Sequence, residues 1–217
     1  MTDYERARRA MVDSQLRTAN VTDRRILGVM GRIPRERFVH ETRRDVAYID
    51  EPQSLLTGSP RKMPAPAAFA RLLQLGAPNS EDRVLDVGCG TGYSTAVLAS
   101  LAHSVTGVED DEDLVVLANA HLSELGIGNA DVVRSSLDGG PEGEFDLVIV
   151  EGAVDAPPRA LFPRVADGGR LVAVIRQGAT AVTHVYVRIG NDITGRTEFN
   201  LNLPALAPPQ REESFVF

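Results

Sequence analysis

The sequence predicts an α/β fold: a doubly wound, mostly parallel sheet with an N-terminal helical extension and a C-terminal antiparallel hairpin. From residue 83 onward, short runs rich in β-branched residues alternate with runs of helical periodicity. Before that point, residues 3–31 carry apolar positions at helical spacing. Strands that alternate with helices pair in parallel. Each right-handed crossover brings the chain back to the end of the sheet at which the previous strand began, so the next strand runs in the same direction.

Two short helices are predicted at the N-terminus. Residues 3–18 show helical periodicity, and a second helix is predicted to begin at a capping Thr22 and to run to about Gly31. The proline of IPRERF suits a helix start, and VHETRRDVAYID is predicted to lead into an extended stretch that ends at Glu51-Pro52.

The next segment, TGSPRKMPAPAAF from Thr57 to Phe69, contains three prolines and the only lysine of the protein. Pro66 suits the first turn of a helix that continues through AAFARLLQLG and ends near Gly76. The residues before Pro66 are therefore predicted to form a loop that leads into this helix.

The alternating part of the chain predicts four or five strand–helix units. The predicted strands are RVLDVG, SVTGVE, ADVVRS, FDLVIVEG and GGRLVAVI, and the predicted helices are YSTAVLASLA, DLVVLANAHLSELG and PPRALFPRVA. Such a series predicts a Rossmann-like sheet with helices on both faces. After it, THVYVRIG and TGRTEFNL predict an antiparallel hairpin that turns at Gly190-Asn191-Asp192. In the C-terminal tail, Phe215 and Phe217 are expected to be buried.

The charges of the chain are unevenly distributed. Residues 1–62 hold 13 Lys and Arg against 9 Asp and Glu, whereas residues 63–217 hold 10 against 21, giving a net charge of -7. A nucleic-acid-binding domain would need a basic face over its main part, so this pattern argues against a nucleic-acid partner. The basic N-terminal third could meet an anionic partner, but a solvated helix surface is the favoured interpretation.

Other features of the sequence limit where the protein works and what it binds. No apolar run is long enough to cross a membrane, and the N-terminus lacks the apolar region of a secretion signal, so a cytoplasmic location is expected. Cys89 is the single cysteine, which excludes an internal disulfide. The four histidines lack ligand spacing, and no metal site is predicted.

A glycine-rich turn carries the strongest functional signal. The strand VLDVG leads directly into CGTGYS, which places Gly88, Gly90 and Gly92 at alternate positions where the next helix begins. Glycines there allow a ligand to approach the backbone, at the edge of an open sheet where ligands bind. The following strand ends in Glu109, 19 residues after Gly90. A carboxylate at this distance is typical of one that accepts hydrogen bonds from both ribose hydroxyls, so a nucleoside is predicted.

The spacing and charge of this turn argue against a dinucleotide. A dinucleotide site has a further glycine or alanine three places after the second glycine, and Tyr93 takes that place here. Asp86, inside the preceding strand, would repel a phosphate and instead suits a ligand with an ammonium group. DVGCGTG resembles the glycine-rich loop of class I S-adenosylmethionine-dependent methyltransferases.

A wider resemblance is to the protein-L-isoaspartate O-methyltransferase family. MVDSQLRTANVTDRRILGVMGRIPRERFV resembles the opening helices of that family, and AYID, DVGCGTGY, GVED, FDLVIVEGA and GGRLV follow in the family's order. The likeness spans roughly residues 10–175. It implies two parts: an N-terminal helical extension with the substrate loop over residues 1–64, and an S-adenosylmethionine-binding methyltransferase domain over residues 65–217.

The resemblance also implies a cofactor site. Its predicted residues are Asp86, Gly88, Cys89, Gly90, Thr91, Gly92, Tyr93, Glu109, Asp110, Ser136, Leu137, Glu151 and Gly152. The glycines allow backbone approach, Asp86 would hold the methionyl ammonium and Glu109 the ribose, while Glu151-Gly152 would form the floor of the pocket. Cys89 is interpreted as a small residue that fills a crowded turn, because no histidine near it in sequence could activate its thiol.

Two segments depart from the family pattern. Pro60-Arg61-Lys62-Met63-Pro64 replaces Gly-Gln-Thr-Ile-Ser, so proline takes the place of a serine hydroxyl at the reaction centre. Arg61 and Lys62 are the candidate acceptor contacts, although an exposed linker with solvated cations is an equal alternative. Ser135-Ser136-Leu137 replaces Gly-Asp-Gly, so Ser136 could accept from the adenine amino group while Leu137 offers an apolar wall.

Three functions remain open from the sequence. The favoured one is methylation of a carboxylate of isoaspartyl residues in proteins. The second is methyl transfer from the same cofactor to a different acceptor, and the third is a non-catalytic S-adenosylmethionine-binding module. The expected partner is an isoaspartyl protein or peptide, with no nucleic acid or membrane, and either a monomer or a homodimer is expected.

Overall fold

The computed structural model describes residues 3–178 and 180–206. It contains two sheets, a two-stranded hairpin and a seven-stranded sheet. The strands are β1 (Gln53–Ser54), β2 (Lys62–Met63), β3 (Arg83–Val87), β4 (Ser104–Glu109), β5 (Ala130–Arg134), β6 (Phe145–Val154), β7 (Val165–Gln177), β8 (Thr180–Ile189) and β9 (Asp192–Asn200).

The large sheet has the order β5-β4-β3-β6-β7-β8-β9. Strands β3 to β7 are parallel, and β7, β8 and β9 are joined as antiparallel neighbours. The chain runs outward from β3 through β4 to β5 and then returns to pair β6 with the other side of β3. The strand order therefore reverses at β3, and in such sheets ligands bind outside the carboxyl ends of the strands at this reversal.

The described residues contain five α-helices; the last three pack against one face of this sheet, and the first two share a buried core with them. The five helices are α1 (Tyr4–Met11), α2 (Arg24–Met30), α3 (Pro66–Gly76), α4 (Tyr93–Ala99) and α5 (Glu112–Glu124). One buried cluster contains side chains of all five helices together with Val84, Leu147 and Val172 of the sheet. The N-terminal helices therefore share a core with the sheet.

The opposite face of the sheet differs from the expectation of helices on both faces. Its buried cluster contains Leu85 and Val148 of the sheet, covered by Leu137 from a loop and by Leu161. Leu161 belongs to a 3-10 helix over Arg159–Arg164, where a longer helix was predicted. Pro163 lies inside this segment and cannot donate a backbone hydrogen bond, which keeps the helix short. The predicted α/β class itself, with its mostly parallel sheet and terminal hairpin, is confirmed.

The N-terminal segment follows the predicted helices with small corrections. Helix α1 continues into a π-helical turn over Val12–Leu16. The side chain that caps α2 is Asp23, which accepts a hydrogen bond from Arg25 N, and not the predicted Thr22. VHETRRDVAYID, predicted to lead into an extended stretch, contains a 3-10 helix over Glu41–Val46 that was not predicted. Its capping residue His40 accepts from Thr42 N, a local bond that the proline-based rule does not consider.

The segment before α3 has more structure than a loop. Strand β1 pairs with β2 as a short antiparallel hairpin, so Lys62 lies in a strand. Helix α3 begins at Pro66 as predicted, and Asp50 accepts a hydrogen bond from Ala67 N in its first turn. It ends at Gly76, and the capping residue Ala77 adopts a left-handed conformation.

The last described residues return to the carboxyl edge of the sheet. Ala153 N donates to Pro204 O over 2.8 Å, and Leu206 N donates to Ala153 O over 2.9 Å. Phe215 and Phe217, which were expected to be buried, lie outside the described residues. Within residues 3–178 and 180–206, no helix has the length and hydropathy that a membrane span requires, and no group of three or more potential ligand side chains could hold a metal ion.

Candidate cofactor and acceptor site

The glycine-rich turn joins β3 to α4 at the reversal of strand order. Gly88, Gly90 and Gly92 have φ angles of 80°, 59° and 90°, in the left-handed region that favours glycine. Gly88 N donates to Val108 O of the neighbouring strand over 2.8 Å. Gly92 begins α4. The three glycines thus allow a backbone conformation that would be strained for residues with a side chain. They also leave the backbone of the turn open to close contacts.

Asp86 is fully buried beneath this turn. Its Oδ2 atom accepts hydrogen bonds from Ser94 Oγ and Thr95 Oγ1, both over 2.7 Å, whereas its Oδ1 atom has no partner. Burial raises the pKa of the Asp86 carboxyl to about 6, against the lowering effect of the two hydroxyls. One oxygen is therefore held in place and the other is left for a ligand.

Glu109, at the end of β4, is also fully buried and directed at the turn. Its Oε2 atom accepts from Gly90 N over 2.9 Å, and its Oε1 atom accepts from Asp110 N over 3.1 Å. Burial raises the pKa of the Glu109 carboxyl to about 7, while Arg61 acts in the opposite direction. This places a carboxylate beside the glycine turn, as the spacing predicts.

Arg61 reaches into the site and pairs with Glu109. Its Nη1 and Nη2 atoms donate to the two carboxylate oxygens over 2.8 and 2.9 Å, and Nη2 also donates to Gly88 O over 3.1 Å. Such a two-point contact has the geometry that arginine and carboxylate groups favour. In this structure Arg61 therefore contacts the carboxylate expected to hold the ribose.

Lys62 and Asp110 lie at the rim of the site. Lys62 is exposed on β2 and also lines a cavity beside the glycine turn, which is described below. Asp110 is exposed, with Oδ1 3.6 Å from Arg61 Nη1. The two candidate acceptor contacts thus point to different surroundings, Arg61 to buried carboxylate and Lys62 to solvent and cavity.

Apolar side chains cover the glycine turn. A Cβ atom added to Gly90 would lie 2.5 Å from Leu55 Cδ1, and one added to Gly88 would lie 2.3 Å from Leu206 Cδ1. The remaining cavity has a volume of only about 10 Å³, roughly the space of one water molecule and far below the ~300–1,000 Å³ typical of ligand sites. Its walls include Met63, Phe69 and the glycine turn. A nucleoside ligand would therefore need Arg61 and these leucines to shift.

Glu151 and Gly152 follow each other near the carboxyl end of β6. Glu151 lines the cavity, is 4% exposed, and neither of its carboxylate oxygens has a hydrogen-bond partner. Burial raises the pKa of the Glu151 carboxyl well above its usual range, and the Asp86 carboxylate raises it further. Gly152 instead packs under the C-terminal segment, because an added Cβ atom would lie 2.7 Å from Leu206 Cα.

The other predicted residues of the turn are buried and packed against their surroundings. Thr91 Oγ1 donates to Phe38 O over 2.5 Å, which ties the turn to the N-terminal extension. The Tyr93 ring lies beneath the guanidinium of Arg35, 5.0 Å from the ring centroid. Cys89 is buried, and burial raises the pKa of its thiol well above the usual range, as expected of a residue that fills space.

Ser136 and Leu137 lie beyond the end of β5 in different environments. Ser136 is exposed, and its Oγ atom accepts from Asp138 N over 3.2 Å. Leu137 is buried in the cluster on the second face of the sheet. Of these two residues, Ser136 is accessible from solvent and Leu137 is not.

Several residues of the site were missed by the sequence analysis. Ser94 and Thr95 hold Asp86, and two hydroxyl residues in the helix after a strand carboxylate were a usable signal. Leu55 and Leu206 cover the glycines from distant parts of the chain, for which the sequence offers no signal. Arg35 is buried and donates to Ala47 O and Pro64 O, so it joins two segments of the N-terminal extension.

The fold and this site define a Rossmann-like enzyme class that binds a nucleoside cofactor at a glycine-rich turn. The sequence profile of protein-L-isoaspartate(D-aspartate) O-methyltransferases matches residues 6–201. The chain belongs to this family, as its motifs predict. The match continues to residue 201, beyond the region recognised from motifs.

Individual relatives agree with the family assignment. Protein-L-isoaspartate O-methyltransferase 2 of Anaeromyxobacter sp. (strain Fw109-5) is 41% identical over 170 residues, covering 77% of this chain and 69% of the relative. Protein-L-isoaspartate O-methyltransferase of Koribacter versatilis (strain Ellin345) is 36% identical over 189 residues, covering 86% of this chain and 83% of the relative. A Plasmodium falciparum protein assigned to the same group, and crystallised with S-adenosyl-L-homocysteine, has the same fold. Its TM-score is 0.77 at 22% identity, covering 92% of this chain and 98% of that one.

Proposed function

We propose that this chain is an S-adenosylmethionine-dependent methyltransferase that methylates the free carboxylate of isoaspartyl residues in proteins. Family membership supports the activity and the substrate class. The observation that carries the proposal is the position of Glu109, whose carboxylate lies against Gly90 N at the reversal of strand order. That contact brings a ribose-binding group and a glycine turn together where a nucleoside would sit.

The residues of this chain fit the cofactor. Asp86 Oδ1, buried and without a partner, suits an ammonium group, because a buried carboxylate needs a cation or a donor. Glu109 would accept from the ribose hydroxyls once Arg61 leaves it. Ser136, exposed beyond β5, would accept from the adenine amino group, while Gly88 and Gly90 would let the cofactor approach the backbone.

The chemistry needs little proton transfer. When bound, S-adenosylmethionine supplies a methyl group on a sulfonium, and its transfer to a carboxylate oxygen leaves a neutral thioether and a methyl ester and releases no proton. The chain therefore has to align the acceptor and exclude water. Leu55, Met63 and Phe69 provide an apolar cover for this purpose.

Arg61 links cofactor binding to acceptor binding in this proposal. A guanidinium displaced from Glu109 by the ribose would be free to grip another carboxylate with the same two-point geometry. Lys62, next to it on β2, would attract the same anionic group as a point charge. The acceptor carboxylate would thus bind after the cofactor.

A methyl-transfer assay tests the proposal. Radiolabelled S-adenosylmethionine is supplied with an isoaspartyl peptide, and the labelled product is tested for the base lability of a methyl ester. The same peptide with an ordinary aspartate is the control. Base-labile label on the isoaspartyl peptide alone supports the proposal. Label only on other acceptors, or cofactor binding without any transfer, would reject it in favour of the second or third function.

A further inference from the structure

Glu151 is the one buried carboxylate among the described residues in which neither oxygen has a hydrogen-bond partner. Asp86, by comparison, has one oxygen held by two hydroxyls. Buried polar groups are satisfied in the large majority of cases, and those that are not call for an explanation such as a missing ligand. The two free oxygens of Glu151 therefore indicate that a ligand group meets this carboxyl.

The position of Glu151 shows from which side that group comes. Glu151 lies near the carboxyl end of β6, and the register of the sheet pairs its neighbour Val150 with Val87, just before the glycine turn. The cavity that it lines is also lined by Lys62 and Pro64. The carboxyl thus lies between the cofactor turn and the segment expected to contact the acceptor.

The titratable groups around Glu151 favour its neutral form. The Asp86 carboxylate acts on it from β3, and burial together with this charge raises the pKa of Glu151 well above its usual range. Cys89 and Tyr93 line the same cavity, and burial raises the pKa of both the thiol and the phenol. Lys62 lines the cavity but forms no ion pair with Glu151. Within residues 3–178 and 180–206, no cation in contact with Glu151 therefore stabilises an ionised carboxylate.

We propose that protonated Glu151 donates a hydrogen bond to one oxygen of the acceptor carboxylate. This bond holds the acceptor while its other oxygen receives the methyl group. This inference rests on the proposed function. An ionised Glu151 would repel an incoming carboxylate, whereas a protonated one supplies the O–H donor that such an acceptor needs. The neighbouring loop residue Pro64 has neither a side-chain hydroxyl nor a backbone N–H to offer. Because the transfer releases no proton, Glu151 acts as a donor that positions the acceptor and not as a base.

Two substitutions of similar volume separate the donor from the charge. Glu151→Gln keeps a neutral donor, and Glu151→Met removes it. We expect Glu151→Met to lower kcat/KM for the isoaspartyl peptide about 10- to 100-fold, the loss of one hydrogen bond to a charged group. Glu151→Gln should keep kcat/KM within about fivefold of the wild-type value, because the amide is still a hydrogen-bond donor. Both variants should bind S-adenosylhomocysteine within about twofold of wild type by calorimetry, because in this role Glu151 contacts the acceptor and not, as the resemblance implied, the cofactor.

The pH dependence provides a second readout. The kcat/KM of the wild type should fall at high pH as Glu151 ionises, and that fall should be absent in Glu151→Gln. An infrared difference spectrum between the two proteins at neutral pH should show the carbonyl band of a protonated carboxylic acid.

Other results would overturn this role. An ionised carboxylate in the infrared spectrum, or a Glu151→Gln variant as impaired as Glu151→Met at every pH, excludes a protonated donor. A tenfold loss of S-adenosylhomocysteine affinity in Glu151→Gln would make Glu151 a cofactor ligand instead. If the wild type itself fails to methylate the isoaspartyl peptide, the proposed function fails and the acceptor role falls with it. If methylation is intact and the variants match the wild type, the role of Glu151 alone fails.

Discussion

Arg61 and Glu109 form a buried two-point ion pair, with N–O distances of 2.8 and 2.9 Å, although they lie 48 residues apart in the chain. Removing one member of a buried pair leaves the other uncompensated, so the carboxylate needs a new partner when the arginine leaves. Ribose hydroxyls are donors that could take that role. The same contact therefore compensates the buried carboxylate in the cofactor-free protein and competes with the cofactor.

Arg61→Ala should accordingly tighten cofactor binding while it weakens acceptor binding. We expect the Kd for S-adenosylhomocysteine to fall about tenfold, a difference of about 1.4 kcal/mol, because the competing guanidinium is gone. Calorimetry measures this change, and the KM for the isoaspartyl peptide should rise in the same variant. Arg83→Ala is the control, because its ion pair with Asp146 involves the opposite end of β3. Weaker cofactor binding in Arg61→Ala would show that the arginine assists the cofactor.

Lys62→Met should raise the KM for the peptide without changing cofactor affinity. The side chain is exposed, and exposed ion pairs contribute roughly 0–1 kcal/mol, so the increase should be at most about fivefold. Steady-state kinetics at low and high ionic strength test this, because salt should reduce the difference between variant and wild type. An unchanged KM at low salt would make Lys62 a solvated surface cation.

Gly90→Ala should lower both stability and cofactor affinity. Its φ of 59° is in the left-handed region, where a side chain costs about 1–2 kcal/mol, and the added methyl would meet Leu55. Gly126→Ala is a matched control, because Gly126 has a φ of 68° and no atom within 4 Å of an added Cβ. Chemical denaturation should show a loss in both variants, whereas S-adenosylhomocysteine binding should fall only in Gly90→Ala. Equal binding by both variants would remove Gly90 from the cofactor site.

Asp86→Asn should become more stable relative to wild type as pH rises. The folded-state pKa of Asp86, about 6, is above its ordinary value of 3.8. The carboxyl therefore contributes its full stability below pH 3.8 and loses it as pH rises through 6. The difference in unfolding free energy between variant and wild type, both without cofactor, should grow by roughly 2–3 kcal/mol between pH 4 and pH 8.

The control for Asp86→Asn has the opposite sign. The pKa of Asp146 is lowered, first by its hydrogen bond with Arg83. Asp146 therefore stabilises the protein above its ordinary pKa, and Asp146→Asn should become less stable relative to wild type as pH rises. Denaturation at a series of pH values measures both trends. A constant difference for Asp86→Asn would show that this carboxyl titrates normally.

The sequence predicts the sheet and the glycine turn because their signals are local. Strands such as 83–87 and 104–109 are short apolar runs bounded by turn residues, and alternate glycines mark the turn itself. The 3-10 helix over Glu41–Val46 was missed because six residues show too little periodicity to distinguish them from extended chain.

Contacts between distant segments could not be predicted from the sequence. The pairing of Arg61 with Glu109 depends on the path of the β1–β2 hairpin, and the cover that Leu206 places over Gly152 depends on the return of the chain after β9. Composition and spacing carry no information on either path. Whether the carboxyl of Glu151 has a hydrogen-bond partner likewise depends on the positions of all neighbouring polar groups, and the sequence does not give these positions.

The central claim is that Glu109 binds the ribose of S-adenosylmethionine once Arg61 has left it. The most direct test is calorimetric titration of S-adenosylhomocysteine into wild type, Arg61→Ala and the Arg61→Ala/Glu109→Ala double variant. The last two proteins both lack the competing arginine and differ only at residue 109. The difference in their affinities therefore measures the contribution of the Glu109 carboxylate to cofactor binding. The account predicts one binding site in the wild type and at least about a tenfold loss of affinity from Arg61→Ala to the double variant. Absence of binding to the wild type, or equal affinity of the single and double variants, would contradict it.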